Sequence, residues 1–229
     1  MSYIAVGKKY LNEALEYLES KTARQILVVS VVVVLGAGGY YINRYFADQR
    51  QRNAVAAFSE AMQTYLTALS VDLDWSKKDE KAPWDEVELA FQTAYAQNSS
   101  AKFAPFFLIN TAQALAAQQK HTEAAKLIGE ALAKLPTSSP FYNLYSVVQA
   151  AILIDGGDDS GVTQLKNLAA DANNSYNDMA KYYLAQYYLA QEQNEAAQTL
   201  FKELAAQKPV TMNEQFQQAS WAELAKEYV

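Results

Sequence analysis

The pattern of apolar and polar positions divides the chain into two parts. Residues 25–43 carry no charge at all, whereas apolar residues after position 52 recur every three or four positions among polar ones. The second pattern is typical of amphipathic helices that bury one face. It predicts a polar loop over 71–83 and helices over 53–69, 84–99, 102–119, 121–136, 139–155, 176–193, 193–209 and 213–228. The predicted fold class is therefore all-α.

The uncharged stretch 25–43 predicts a transmembrane helix. At about 1.5 Å per residue it covers roughly 28 Å, close to the hydrocarbon thickness of about 30 Å. Arg24 and Arg44 flank it, and Tyr40 and Tyr41 lie near its end, where amphipathic rings favour the headgroup level. A cleaved signal peptide is the alternative, because small residues follow the apolar run at 36–38. Too long a segment precedes the run for that interpretation, and this segment contains acidic residues.

The arm at 1–24 places Leu11, Leu15 and Leu18 on one helical face. This amphipathic arm lies along the membrane or against a partner helix, or else it simply extends the span. Four cations precede the span and three follow it closely, so the positive-inside rule decides little. Beyond residue 52 there are 12 basic and 21 acidic residues, a net charge of −9. This acidity favours a cytoplasmic N-terminus and a large domain on the opposite side.

Two segments repeat the same helical sequence. Residues 121–136 and 193–209 both contain Glu-Ala-Ala after a capping residue, Thr122 or Asn194, and both end at a proline. Their glutamates, Glu123 and Glu195, are 72 positions apart, and a weaker copy lies halfway, so the period is near 36. Each copy follows an aromatic-rich helix. The spacing predicts helical hairpins stacked in series, an α-solenoid.

These hairpins resemble the tetratricopeptide repeat. With the proline as anchor, the first unit matches that family's pattern at Ala112, Leu115, Ala124, Ile128, Ala131 and Pro136, and the third at Leu184, Ala185, Tyr188, Ala197, Phe201 and Pro209. The middle unit departs from the pattern, with Gln149 at the small position and no closing proline. Small residues there allow two helices to approach closely.

The predicted organisation has four parts. An amphipathic arm at 1–24 and a span at 25–43 come first. Membrane-proximal helices and a loop follow at 44–100, and the repeats occupy 101–229 together with a capping helix. The cap is expected to turn Phe216, Trp221 and Leu224 inward, because the ends of stacked repeats otherwise expose apolar faces.

The residues needed for catalysis or metal binding are largely missing from the sequence. There is no cysteine, and His121 is the one histidine. Residues 155–161 are acidic and glycine-rich like a calcium loop, but Lys166 stands where a bidentate glutamate is required, so a glycine C-cap with an acidic N-cap is favoured. Phosphate-binding and nucleophile motifs are absent, and the acidity opposes nucleic-acid binding. We therefore expect no enzyme activity, no cofactor and no metal.

Protein binding is the remaining class. In stacked hairpins, the first helix of each pair lines a concave groove that suits a segment of another protein. The register of the tetratricopeptide family assigns this groove to Phe106, Ile109, Gln113, Asn143, Ser146, Met179, Tyr182 and Gln186. For each aromatic residue taken singly, an ordinary core position remains the alternative.

The whole layout is similar to a second family, the YfgM-like ancillary subunits of the bacterial Sec translocon. The resemblance implies a single-pass protein of the bacterial inner membrane, with a cytoplasmic N-terminus and a periplasmic domain that contacts emerging proteins or chaperones. It thus implies an interaction module that assists protein translocation or periplasmic folding. The alternative function is that of a structural accessory subunit or scaffold of a larger membrane complex.

One substitution tests the predicted repeat register. Ala197→Glu places a charge where two helices are expected to touch, and a buried, unpaired charge is strongly destabilising. We expect the third hairpin to collapse, with a large drop in the melting temperature of the domain 53–229 measured by circular dichroism. A normal melting curve would show that the register is wrong.

Overall fold

The computed structural model describes residues 21–73, 81–206 and 221–229, with side chains from residue 43 onward. Its elements are all α-helices: α1 Lys21–Asp72, α2 Trp84–Asn98, α3 Ala104–Ala117, α4 His121–Leu132, α5 Pro140–Asp155, α6 Ser160–Ala170, α7 Asn177–Ala190, α8 Asn194–Ala205 and α9 Trp221–Lys226. The predicted helix at 213–228 is observed only as α9. Phe216 and Pro209 lie outside the described residues, as do residues 74–80 of the predicted loop.

The chain divides into two compact units, Met1–Arg52 and Asn53–Val229. In the first unit, residues 21–52 form helical backbone, which includes the predicted span 25–43. The side chains of that span up to residue 42, and the whole arm at 1–20, lie outside the described residues. Among the residues whose side chains the structure describes, no helix is both long and apolar enough to cross a membrane.

The second unit is a series of helical hairpins. Consecutive helices from α2 to α8 pack against each other, and α9 packs on α8. The hydrophobic core is divided in the same way, because each cluster joins one hairpin to the first helix of the next. In the first cluster, Phe58 of α1 contacts Phe91 of α2 and Phe107 of α3, with ring centroids 5.5 and 5.8 Å apart. Such nearest-neighbour packing is characteristic of a solenoid.

Three hairpins turn through the same backbone conformation. Gln119, Gly157 and Glu192, the residues in the turns, have φ angles of 64°, 78° and 58°. In each turn the next residue donates its N–H to a carbonyl five positions earlier, over 2.8 to 2.9 Å. This is the Schellman motif, which satisfies the last carbonyls of the first helix. The three turns are therefore equivalent positions of the repeat.

These turns correct the register of the middle unit. Ala112, Ala150 and Ala185 each lie seven residues before a left-handed residue, and all three are fully buried. The small position is therefore held by Ala150, and the prediction of Gln149 there is wrong. Gln149 lies beside it and donates its Nε2 to the carbonyl of Ala125 at 2.9 Å. Its amide packs over Gly129, where an added Cβ would lie 3.0 Å from Nε2.

Small residues meet at the centre of each hairpin. Ala112 shares a cluster with Ala124, and Ala185 shares one with Ala197; all four are fully buried. In the middle hairpin the partner of Ala150 is Gly161, where a Cβ would lie only 2.4 Å from the Ala150 carbonyl oxygen. Glycine is required there by close approach rather than by backbone conformation. The close packing predicted at the small residues of the first and third units is thus confirmed.

The predicted caps differ from the observed ones. The N-cap residues of α4 and α8 are Lys120 and Gln193, and neither makes a side-chain capping bond, so capping by Thr122 and Asn194 is wrong. The N-cap of α6 is Asp159, as predicted, but the N–H of Ser160 donates to Asp158 instead. These helices begin without the usual side-chain capping bond, because the packing of their apolar faces contributes more to their stability than a cap does.

The burial of Ala197 supplies a matched control for the substitution proposed above. Ala197 is fully buried, while the next residue, Gln198, is exposed on the same helix. Gln198→Glu adds the same charge to the same element without burying it. Its melting temperature should stay close to that of the parent protein.

The left-handed turns predict a stabilising substitution. Glu192→Gly removes the strain that a Cβ causes at φ 58°, which costs about 1 kcal/mol. Part of the gain is offset because glycine loses more backbone entropy on folding. We expect the free energy of unfolding in urea to rise by about 0.5 kcal/mol. Glu192→Ala, the control, removes the charge but keeps the strain, so an equal gain from alanine would contradict this explanation.

Candidate functional site

The predicted groove residues lie on α3, α5 and α7, the first helices of their hairpins, but two of them are core residues. Ile109 is fully buried against Leu108 and Ala131. Met179 is 8% exposed and packs with Val147 in the cluster that joins α5, α6 and α7. Neither side chain can be a main contact for a partner, so the assignment of Ile109 and Met179 to the groove surface is wrong.

An aromatic contact joins α3 to α5. The ring of Phe106 lies edge-on to Phe141, with centroids 5.2 Å apart, and also edge-on to Tyr145 at 6.4 Å. Phe106 and Tyr145 are half-buried, whereas Phe141 is 45% exposed. Burial, followed by the charge of Tyr176, raises the pKa of Tyr145. The three residues Phe106, Phe141 and Tyr145 are called the aromatic patch below.

Sequence reasoning found only one member of the aromatic patch. Phe141 and Tyr145 were not predicted, and the corrected register does not assign them to the groove either; only their ring contacts with Phe106 identify them. The left-handed turns equate Phe106 with Leu144 and Ile109 with Val147. The predicted groove residues Asn143 and Ser146 therefore lie one position before Leu144 and Val147, respectively. Both are half-buried, and the Ser146 hydroxyl donates within its own helix to the carbonyl of Tyr142 at 2.8 Å.

The C-terminal segment covers the third part of the predicted groove. The ring of Tyr182 packs against Trp221 of α9 at 5.2 Å, and Tyr228 stacks on Phe201 at 4.5 Å. Burial raises the pKa of Tyr182, and a hydrogen bond with Tyr228 adds to this effect, while one with Gln186 opposes it. The inward orientation expected of Trp221 is confirmed by these contacts. This segment therefore occupies the surface beside Tyr182.

Two polar residues complete the set. Gln113 on α3 is half-buried. Gln186 on α7 lines a cavity of about 360 Å³ between α5 and α7. The remaining predicted groove residues are thus spread over three hairpins. Tyr182 and Gln186 are hydrogen-bonded on α7, and Phe106 belongs to the aromatic patch.

The flanks of the predicted span are described only in part. Arg44 is exposed, and so are Tyr45 and Phe46, whose rings meet edge-on at 5.8 Å. Tyr45 is 62% exposed and Phe46 is 56% exposed. The side chains of Arg24, Tyr40 and Tyr41 lie outside the described residues.

His121 and residues Gly156 and Asp158 of the acidic turn line one cavity of about 220 Å³. The Nε2 atom of His121 lies 3.2 Å from Oε1 of Gln119, and its Nδ1 atom is buried without a hydrogen-bond partner. Hydrogen bonds from the side chain and the backbone of Ser160 lower the pKa of Asp158. Among the residues that the structure describes, no three acidic, histidine or cysteine side chains are grouped so that they could hold a metal ion.

Comparison with known proteins adds no identification: no protein-family model matches the chain, and no curated protein matches it.

Proposed function

We propose that the protein is a non-catalytic, membrane-anchored protein-binding module that assists protein translocation or folding in the bacterial periplasm. Residues 25–43 form the anchor in the inner membrane, with the N-terminus in the cytoplasm and the hairpins in the periplasm. The absence of charge over those 19 residues supports the anchor. The exposed Tyr45 and Phe46, directly after Arg44, suit the headgroup level of a bilayer.

The tetratricopeptide-like interpretation of the hairpins supports a binding role. Equivalent left-handed turns and small-residue contacts recur in three hairpins. Among the first helices, α5 packs on α7, and ring contacts join α3 to α5. Solenoids of this kind present the neighbouring first helices as one extended surface for a protein segment. With a net charge of −9 after residue 52, such a surface favours segments that are neutral or basic.

The observation that carries the proposal is the exposure of Phe141 in the aromatic patch. This ring keeps 45% of its surface in contact with water, although Phe106 and Tyr145 adjoin it. Aromatic residues that are held rigidly by neighbours and remain partly exposed are frequent hot spots of protein interfaces. A translocating or newly folding chain, which exposes apolar side chains, is a suitable partner for this patch.

A structural accessory subunit of a larger membrane complex is the second candidate. The observation in its favour is that the C-terminal segment already covers Tyr182, which leaves a shorter free surface on the first helices. A short surface suits a single permanent partner better than a succession of extended protein segments. The two candidates differ in the number and identity of the proteins that contact the aromatic patch.

Site-specific photocrosslinking distinguishes the two candidates. A benzoylphenylalanine replaces Phe141 in the full-length protein, and native membranes are irradiated during protein export. We expect a range of secreted proteins in the crosslinked products, because the patch would contact successive chains. Immunoblotting and mass spectrometry identify these products.

The matched control places the same photoreactive residue at Glu130, which is exposed on α4, the second helix of its hairpin. This position should give few crosslinks. Equal crosslinking from both positions would contradict a specific patch. A single stoichiometric membrane partner at Phe141 would instead support the structural subunit.

A further inference from the structure

A cavity opens between α5 and α7 near their C-terminal ends. Nearer their N-terminal ends the two helices are joined by packing of Val147 and Met179. Beyond that contact they leave a space of about 360 Å³, called the Asp155 notch below. Apolar and aromatic lining comes from Ala151, Ile154, Leu165, Tyr183, Tyr187 and Ala190, and polar lining from Asp155, Gln186 and Gln191.

The Asp155 notch has a negative electrostatic character with three sources. Asp155 is exposed at the last position of α5, and among the described residues the structure records no ion pair for it. Both α5 and α7 end at the notch, so the negative ends of two helix dipoles meet there. Neither helix has a basic residue in its last turn to balance this charge.

The charged residues adjoining the notch include one cation, Lys166. Lys166 follows the lining residue Leu165, but its Nζ atom lies 5.9 Å from the ring centroid of Tyr188. Burial raises the pKa of Tyr183, and the negative charge of Asp155 raises it further. The carboxylate therefore faces the notch with an aromatic hydroxyl close by.

The lining of the notch matches one kind of side chain. An arginine has a long apolar stem and a planar cation that binds carboxylates with two parallel hydrogen bonds and stacks on aromatic rings. The apolar stem can pack against Ile154 and Leu165, and the guanidinium can pair with the carboxylate of Asp155. Tyr183 and Tyr187 offer aromatic rings on which the guanidinium can stack. A neutral side chain would gain nothing from the charge of Asp155, and an acidic one would be repelled by it.

We propose that the Asp155 notch binds an arginine side chain of a partner segment that lies along the first helices. This inference rests on the proposed protein-binding function and adds a specificity to it: partner segments are selected for a basic residue beside an apolar stretch. Asp155 provides the charge, Tyr183 and Tyr187 provide aromatic contacts, and the amides of Gln186 and Gln191 provide further polar contacts.

Two peptides test the proposal directly. The first is a fluorescein-labelled nonapeptide, Gly-Ser-Ala-Val-Arg-Val-Ala-Ser-Gly, and the second replaces its arginine with citrulline, which has nearly the same shape but no charge. Fluorescence anisotropy measures binding of each peptide to the full-length protein at low salt. We expect the arginine peptide to bind about twofold to fivefold more tightly, the range for a partly exposed ion pair.

Variants of the protein complete a double-mutant cycle. Asp155→Asn should weaken binding of the arginine peptide by the same factor and leave the citrulline peptide unaffected. Asp159→Asn is the matched control, because it removes an exposed carboxylate four residues away that does not line the notch. This control variant should bind both peptides as the parent protein does.

Three results would overturn the proposal: equal binding of the two peptides, equal effects of Asp155→Asn and Asp159→Asn, or no binding of either peptide. Crosslinking from Phe141 is independent of the notch. If Phe141 captures secreted proteins while the arginine preference is absent, the Asp155 notch is wrong and the proposed function stands. If Phe141 also fails to crosslink, both are wrong.

Discussion

The close approach of paired helices through small residues is the constraint on which the rest of the solenoid depends. Ala112 and Ala124, Ala150 and Gly161, and Ala185 and Ala197 lie at the centres of three successive hairpins and are buried. In the middle pair no room remains for even one methyl group. Because the helices of a hairpin are this close, the larger residues fill the spaces between hairpins, and each core cluster extends to the next first helix.

This arrangement also explains where the surface remains available. Between α3 and α5 the gap is bridged by large side chains, as the rings of Phe106 and Tyr145 show. Between α5 and α7 the packing ends before the helices do, which leaves the Asp155 notch. The exposed Phe141 and the notch are thus both products of the spacing between hairpins, and both lie on first helices.

The sequence predicted the outer hairpins well because their prolines supply an anchor. Counting back from Pro136 and Pro209 correctly places Ala124 and Ala197 in the core. Aligning the two Glu-Ala-Ala segments instead would equate Ala124 with Ala196, which is exposed.

The middle hairpin has no such proline, and its turn is 38 residues after the first and 35 before the third. The predicted residues Asn143, Ser146 and Gln149 lie 37 residues after Phe106, Ile109 and Ala112, whereas the first two turns are 38 residues apart, so the register slipped by one residue. Phe141 and Tyr145 lie outside the predicted pattern in either register, because the repeat spacing does not encode which rings meet between α3 and α5. Glycine marks only one of the three turns, so Gln119 and Glu192 could not be recognised from residue type.

The central claim is that the first helices bind many protein segments in succession. The most direct measurement is to crosslink native membranes, solubilise the full-length protein gently, and determine by quantitative mass spectrometry which proteins accompany it and in what amounts. The account predicts components of the translocation channel together with many secreted proteins, each in less than stoichiometric amount. Recovery of one membrane complex in fixed stoichiometry, unrelated to secretion, would contradict it.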